Sequence, residues 1–178
     1  RVRTIDVAGT TVSIFEVADP TSDDGCDTDS PRSAMCGGVL WPGSRAAAEA
    51  LAEMSLAGRT VVEIGAGTGL CSLAAASMGA AEVVATDASP GVLELIEAAA
   101  AAQDLGVVRT QVFDFLGDAA ASPVRGVDIA VAADLLYTEE ITRAVARTCA
   151  ALKTGGAAVI VTDSQRRHRD AFLDELDR

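Results

Sequence analysis

Apolar and polar positions alternate from Thr4 to Val17 around a turn containing Gly9, and that period of two broken by glycine predicts a β-hairpin. Asp19 to Ser33 has no periodic apolar pattern and is crowded with Asp, Ser, Thr, Pro and Gly, so it reads as a mobile loop. From Ser44 onward, helical spacing alternates with short β-branched runs. Ser44 can cap a helix to about Met54, and Thr60–Ile64 is a buried strand leading into glycines. A helix follows from Leu70 to Met78 and stops at Gly79. Glu82–Thr86 is the next strand, after which Ser89 and Pro90 supply an N-cap and first-turn proline for a helix through Ala102, with Val92, Leu95, Ile96 and Ala99 on its core face. Further strands are expected at Val107–Phe113, Val127–Ala132 and Gly156–Thr162. A helix spans Glu139–Leu152, with Ile141, Val145, Cys149 and Leu152 inward, and another spans Gln165–Leu176.

Alternation of strand and helix forces parallel pairing, because each crossover helix must return across a sheet face with right-handed topology. The predicted fold class is therefore α/β, a doubly wound, mostly parallel sheet with helices on both faces and an N-terminal β-hairpin. Its ligand crevice opens at the carboxyl ends of the strands where their order reverses, between the Val61 and Val127 strands. Chemistry is expected just after Ile64 and just after Ala132.

Composition narrows the function. The chain has 178 residues, 49% of them apolar, enough for one cooperative core. With 14 Lys+Arg against 26 Asp+Glu, its net charge of -12 repels phosphate backbones and anionic lipid, so no nucleic acid and no membrane partner is expected. No apolar run reaches the length of a membrane span. Cys26, Cys36, Cys71 and Cys149 lack CxxC spacing, and the single histidine, His168, sits among arginines, so neither a metal site nor a disulfide framework is expected. A reducing, cytoplasmic location fits that cysteine usage. The chain opens on Arg1 rather than Met, consistent with the loss of a start or targeting segment.

Four places carry candidate chemistry. Gly65-Ala66-Gly67-Thr68-Gly69 has G-x-G-x-G spacing, whereas a dinucleotide loop needs its third glycine where this chain has Leu70. Glycines there let a ligand approach the backbone with no Cβ in the way, although a ligand-free tight turn has the same composition. Asp87 closes the second core strand 22 positions after Gly65 (87 − 65), where a carboxylate accepts from both ribose hydroxyls of an adenosine ligand; its structural alternative is helix capping. Asp114 and Phe115 end the third strand, where Phe115 could stack on adenine and Asp114 accept from its amine, or the pair could be a core phenylalanine beside a turn. Asp134-Leu135-Leu136-Tyr137 follows the fourth strand at the crevice, where Asp134 either meets an acceptor group or caps the next helix.

Val61-Val62-Glu63-Ile64-Gly65-Ala66-Gly67-Thr68-Gly69-Leu70, Ala85-Thr86-Asp87 and Ala132-Ala133-Asp134-Leu135-Leu136-Tyr137 together resemble the seven-strand, class I S-adenosylmethionine-dependent methyltransferases. The D-x-x-Y of Asp134 and Tyr137 and the upstream Gly38-Val39-Leu40-Trp41-Pro42 resemble in particular the methyltransferase-like group of protein-lysine methyltransferases, methyltransferase family 16. The resemblance runs from about Gly38 to Thr162. It implies S-adenosyl-L-methionine as cofactor, with Trp41, Gly65, Ala66, Gly67, Asp87, Phe115 and Ala133 lining its site and Glu63 near the methionine amine. It further implies Asp134 and Tyr137 as catalytic residues that orient an acceptor amine. Phe115 stands where that group usually has Trp.

The expected domain organisation is a hairpin and acidic loop over 1–37, then a methyltransferase domain over 38–178. Five core strands are legible where the group has seven, so a C-terminally truncated chain is expected. The expected activity is N-methylation of a lysine on a protein substrate by a monomer, since an acidic surface steers a basic segment toward it. A small-molecule N- or O-methyltransferase and a non-catalytic binding module remain alternatives, because one fold serves all three.

Overall fold

In the computed structural model, which describes residues 1–17, 37–117, 124–164 and 168–177, the hairpin is β1 (Val2–Val7) and β2 (Thr10–Phe15). Ala8 and Gly9 join them, both with positive φ (50° and 85°), the backbone that lets a two-residue turn follow the strand twist. Then come α1 (Pro42–Ala52), β3 (Thr60–Ile64), α2 (Leu70–Ser77), β4 (Glu82–Asp87), α3 (Pro90–Ala101), β5 (Val108–Val112), β6 (Ile129–Ala133), α4 (Glu139–Thr154), β7 (Ala158–Thr162) and α5 (Arg169–Leu176). The expected loop of Asp19–Ser33 lies outside the described residues, as do Cys26 and Cys36.

Among the described residues the main sheet has five strands in the order β5-β4-β3-β6-β7, every pair parallel. The order reverses between β3 and β6, where Ile64 lies opposite Ala132. Side chains of β6 alternate between layers, Ile129, Val131 and Ala133 joining the core beneath α1 and α2, and Ala130 and Ala132 the core beneath α4. A strand buried on both faces needs an uninterrupted apolar run, and Ile129–Ala133 is one.

The hairpin explains the composition of α2. Leu70 through Ala76 are all buried, so this helix has no solvent face. It lies between the sheet and the hairpin, whose Ile5, Val7, Val12 and Ile14 belong to the same core, and its alanines let both layers approach. Gln103, just past α3, fastens the outer edge of β2: its amide oxygen accepts from the Ser13 amide at 2.7 Å, and its amide nitrogen donates to the carbonyls of Ser13 at 2.7 Å and Ala99 at 2.8 Å. The side chain imitates a neighbouring strand. Gln103→Ala is expected to destabilise the fold by about 1–3 kcal/mol through the orphaned Ser13 groups, readable in urea unfolding.

Two readings differ from expectation. α1 begins at Pro42 with Trp41 as its N-cap, not at Ser44, because proline's fixed φ and missing amide suit a first helical turn. The second inward position of α3 is Leu93 rather than the half-buried Leu95, because Leu93 packs with Ala66 of the glycine loop and Ala85 of β4. β5 is an edge strand, with Val112 58% exposed. No described helix is long and apolar enough to cross a membrane.

Candidate active site

The glycine loop leaves β3 at the reversal point, and Gly65, Gly67 and Gly69 all adopt left-handed φ (59°, 55° and 70°), which other residues enter only at a cost of roughly 1–2 kcal/mol. Space excludes a side chain too: a Cβ on Gly65 would lie 2.7 Å from Leu135 Cδ2, and one on Gly69 2.8 Å from Ile96 Cγ1. The Gly37 carbonyl would lie 3.1 Å from a Cβ on Gly67, so the strand of chain entering Gly38-Val39-Leu40-Trp41 runs close against the loop. Leu70, at the position of a dinucleotide loop's third glycine, is fully buried.

Asp87 holds the loop in place. Its Oδ2 accepts from the Gly67 amide at 3.1 Å and its Oδ1 from the Ser89 amide at 2.9 Å. Ser89 occupies the N-cap position of α3 but makes no side-chain cap bond, and Asp87 bonds the Ser89 amide rather than an amide of the helix's first turn. Each carboxylate oxygen takes about two hydrogen bonds, which leaves one acceptor position per oxygen, the number a vicinal diol requires.

The residues expected near the cofactor divide into two groups. Trp41, the glycine loop, Asp87 and Ala133 stand at the carboxyl edge of the sheet, Ala133 as the last residue of β6. Glu63 does not open into that edge. It is 2% exposed and its Oε2 accepts from the Ser72 amide at 2.8 Å and the Ser72 hydroxyl at 2.6 Å, capping the first turn of α2 from beneath the loop. Strand parity sends it there, since it lies two residues from Val61 on the α2 side. Burial pushes its carboxyl above the usual carboxylate range, against the lowering effect of Ser72. Phe115 is 8% exposed and packs in the α4-side core with Val62, Ile64 and Val84, while Asp114 is exposed and accepts from the Leu116 amide at 2.9 Å. The core-and-turn alternative describes those two residues here.

Asp134 is the most constrained side chain of the site. It is 5% exposed, has φ of 55°, and continues the ladder through its amide, which donates to the Thr162 carbonyl at 2.9 Å. Its carboxylate accepts from the Gly43 amide through Oδ2 at 2.5 Å, and through Oδ1 from the amide and hydroxyl of Ser164 at 2.8 and 2.7 Å. The capping alternative falls away, because Thr138 caps α4 by accepting from the Ile141 amide at 3.2 Å. Tyr137 is half-buried at the margin of the α4-side core. Sequence reasoning missed Gly43 and Ser164. The signal for Ser164 was its place just beyond the strand that flanks Asp134, at the same sheet edge.

The approach segment is also anchored. Glu16, 3% exposed, accepts from the Leu40 amide at 3.1 Å and pairs with Arg1 and Arg3. Burial raises its carboxyl, but the Leu40 bond and the Arg1 guanidinium outweigh that and leave it below the usual range. A carboxylate lowered in the folded state stabilises above its unfolded pKa and loses that contribution as pH falls through the folded value. The wild type is therefore expected to lose stability below about pH 4.5, the ordinary carboxyl value, more steeply than Glu16→Gln, as read by thermal melting from pH 5.5 to 3.

The buried thiols offer no nucleophile. Burial, together with the charge of Glu63, pushes Cys71 well above the usual thiol range, and burial pushes Cys149 up to about 12. No group of three or more potential metal ligands gathers among the described residues.

Strand order reversing at the glycine loop, an acid closing the adjacent strand and a second acid past β6 define a Rossmann-like methyltransferase fold. Solved structures share it: a putative methyltransferase complexed with S-adenosylhomocysteine superposes with TM-score 0.64 at 17% identity, over 99% of this chain and 46% of that one. A putative RNA methyltransferase from Pyrococcus horikoshii gives TM-score 0.60 at 18% identity, over 83% and 72%. The lysine methyltransferase family model matches residues 26–178, and the chain belongs to that family. Protein N-lysine methyltransferase METTL21A from Danio rerio is 32% identical over 131 residues, 71% of this chain. The chain spans 59% of that relative's length.

Proposed function

We infer that this chain is an S-adenosylmethionine-dependent N-methyltransferase that modifies a lysine side chain of a protein. The observation that supports the reading best is the direct bond from the Gly67 amide to Asp87, a carboxylate with acceptor positions left for a diol beside a left-handed glycine loop. The residues fit the donor: backbone of Gly65, Ala66 and Gly67 for its methionine and ribose parts, Asp87 for the diol, and Trp41 and Ala133 at the rim. Glu63 supports the loop from below. Bound there, the donor supplies a methyl group made electrophilic by its sulfonium.

The protein's own work is positional, because displacement at that methyl needs collinear alignment more than covalent help. Asp134 accepts a hydrogen bond from the acceptor amine, and Tyr137 walls the slot that excludes water around it. A protein substrate is supported by the family, by the METTL21A likeness and by the net charge of -12, which attracts a basic segment. Cytoplasmic action accords with the free, buried Cys71 and Cys149 among the described residues.

Tritium-labelled S-adenosylmethionine incubated with this protein and a proteome extract tests the reading. Label in lysine of a protein band supports it; label only in small molecules, or none, defeats it. Asp87→Ala is expected to weaken S-adenosylhomocysteine binding about 10- to 100-fold by calorimetry, the loss of two charge-assisted hydrogen bonds.

A further inference from the structure

We propose that Ser164 is a positioning residue for methyl transfer, fixing the Asp134 carboxylate so that one acceptor position remains for the incoming amine. The assignment rests on the lysine-methylation reading above and deepens its acceptor end.

A carboxylate has about four acceptor positions. Three on Asp134 are taken, two on Oδ1 by the amide and hydroxyl of Ser164 and one on Oδ2 by the Gly43 amide. The remaining position is on Oδ2. Donors on both oxygens from opposite elements, α1 and the segment after β7, stop the carboxylate from rotating about its own bond. Gly43 cannot do this alone, because a single donor fixes one oxygen and leaves the plane free. The second neighbour of β6 is tied in as well, since the Thr162 hydroxyl donates to the Gly43 carbonyl at 2.8 Å. Gly43, Asp134, Thr162 and Ser164 thus form one closed set of bonds across three elements.

The set also carries backbone strain at a non-glycine residue, Asp134 at φ 55°. Strain held in place by surrounding bonds concentrates where side-chain placement matters for function. A single open acceptor position has a chemical consequence. Once the lysine ammonium has given a proton to solvent, that position takes one N–H of the neutral amine and leaves its lone pair to form the N–C bond as the methyl's bond to sulfur breaks and S-adenosylhomocysteine departs.

Ser164→Ala removes the hydroxyl and keeps the amide; Ser164→Thr keeps both donors. Each is compared with wild type in three measurements: tritium transfer to protein lysine at saturating S-adenosylmethionine, calorimetric affinity for S-adenosylhomocysteine, and hydrogen exchange of the Gly43 amide. In Ser164→Ala, transfer is expected to fall about tenfold and Gly43 exchange to speed up about tenfold, with affinity within about twofold. Ser164→Thr is expected to restore most of both losses. A purely structural role would lower donor affinity and melting temperature together with transfer and would not be rescued selectively. Transfer within about twofold of wild type, or Gly43 exchange unchanged, in a folded Ser164→Ala protein overturns the proposal while leaving lysine methylation standing. A wild type that binds S-adenosylhomocysteine but labels no protein overturns the lysine reading itself, and this assignment with it.

Discussion

Asp134→Ala is expected to lower methyl transfer at least about 100-fold while S-adenosylhomocysteine affinity stays within about threefold. The split follows from where the bonds go. Donor-side order runs through Asp87 to Gly67 and Ser89, and none of those groups bonds to Asp134, whose carboxylate reaches Gly43 and Ser164. Removing it leaves the Gly43 amide and the Ser164 donors without an acceptor, a cost of about 1–3 kcal/mol that thermal melting should register. Transfer must therefore be compared below the variant's melting transition. Asp134→Asn separates shape from acceptor count. Asparagine tolerates the left-handed backbone better than most residues, but its amide nitrogen must face the Gly43 amide or the Ser164 donors, so one side of the set breaks. Turnover unchanged in either variant removes Asp134 from the mechanism.

Gly43→Ala is expected to destabilise the protein by about 1–3 kcal/mol, the reverse of the usual gain of roughly 0.5–1 kcal/mol for alanine over glycine in a helix. A Cβ at position 43 would lie 2.6 Å from both Cγ and Oδ2 of Asp134, and neither partner has room to move. The carboxylate is pinned by Ser164, and Gly43 is pinned in the first turn of α1 by the Thr162 hydroxyl. Because the clash requires Asp134, Gly43→Ala placed in an Asp134→Ala background should become neutral or stabilising. Unfolding free energies of the two single variants and the double variant give the coupling, expected at about 1–3 kcal/mol. A stabilising Gly43→Ala single variant would show that the carboxylate does not pack against position 43 in solution.

Much of the fold was legible because its signals are local. Thr60–Ile64 has the same bounds in the structure as in the sequence, since a β-branched run between Arg59 and Gly65 has one low-energy solution. The hairpin, the reversal point between β3 and β6 and the helix stop at Gly79 follow from periodicity and glycine placement in the same way. Burial was not legible where a second layer intervened. α2 and the inner face of α3 answer to the hairpin as well as to the sheet, and nothing near them in sequence announces it.

The site divides along the same line. Chain order alone fixed which residues stand at the carboxyl ends of the strands, namely the glycine loop, Asp87 and Asp134, because a residue's position relative to a strand end is a local property. Tertiary structure decided what each of them holds. Glu63 went under the loop to Ser72 by strand parity, and Phe115 went into the core beneath α4. Asp134 acquired partners 91 residues before it and 30 residues after it, Gly43 and Ser164. Hydrogen bonds of that span depend on which elements the sheet places side by side, and a carboxylate's partners are set by geometry that emerges only once the strands have paired.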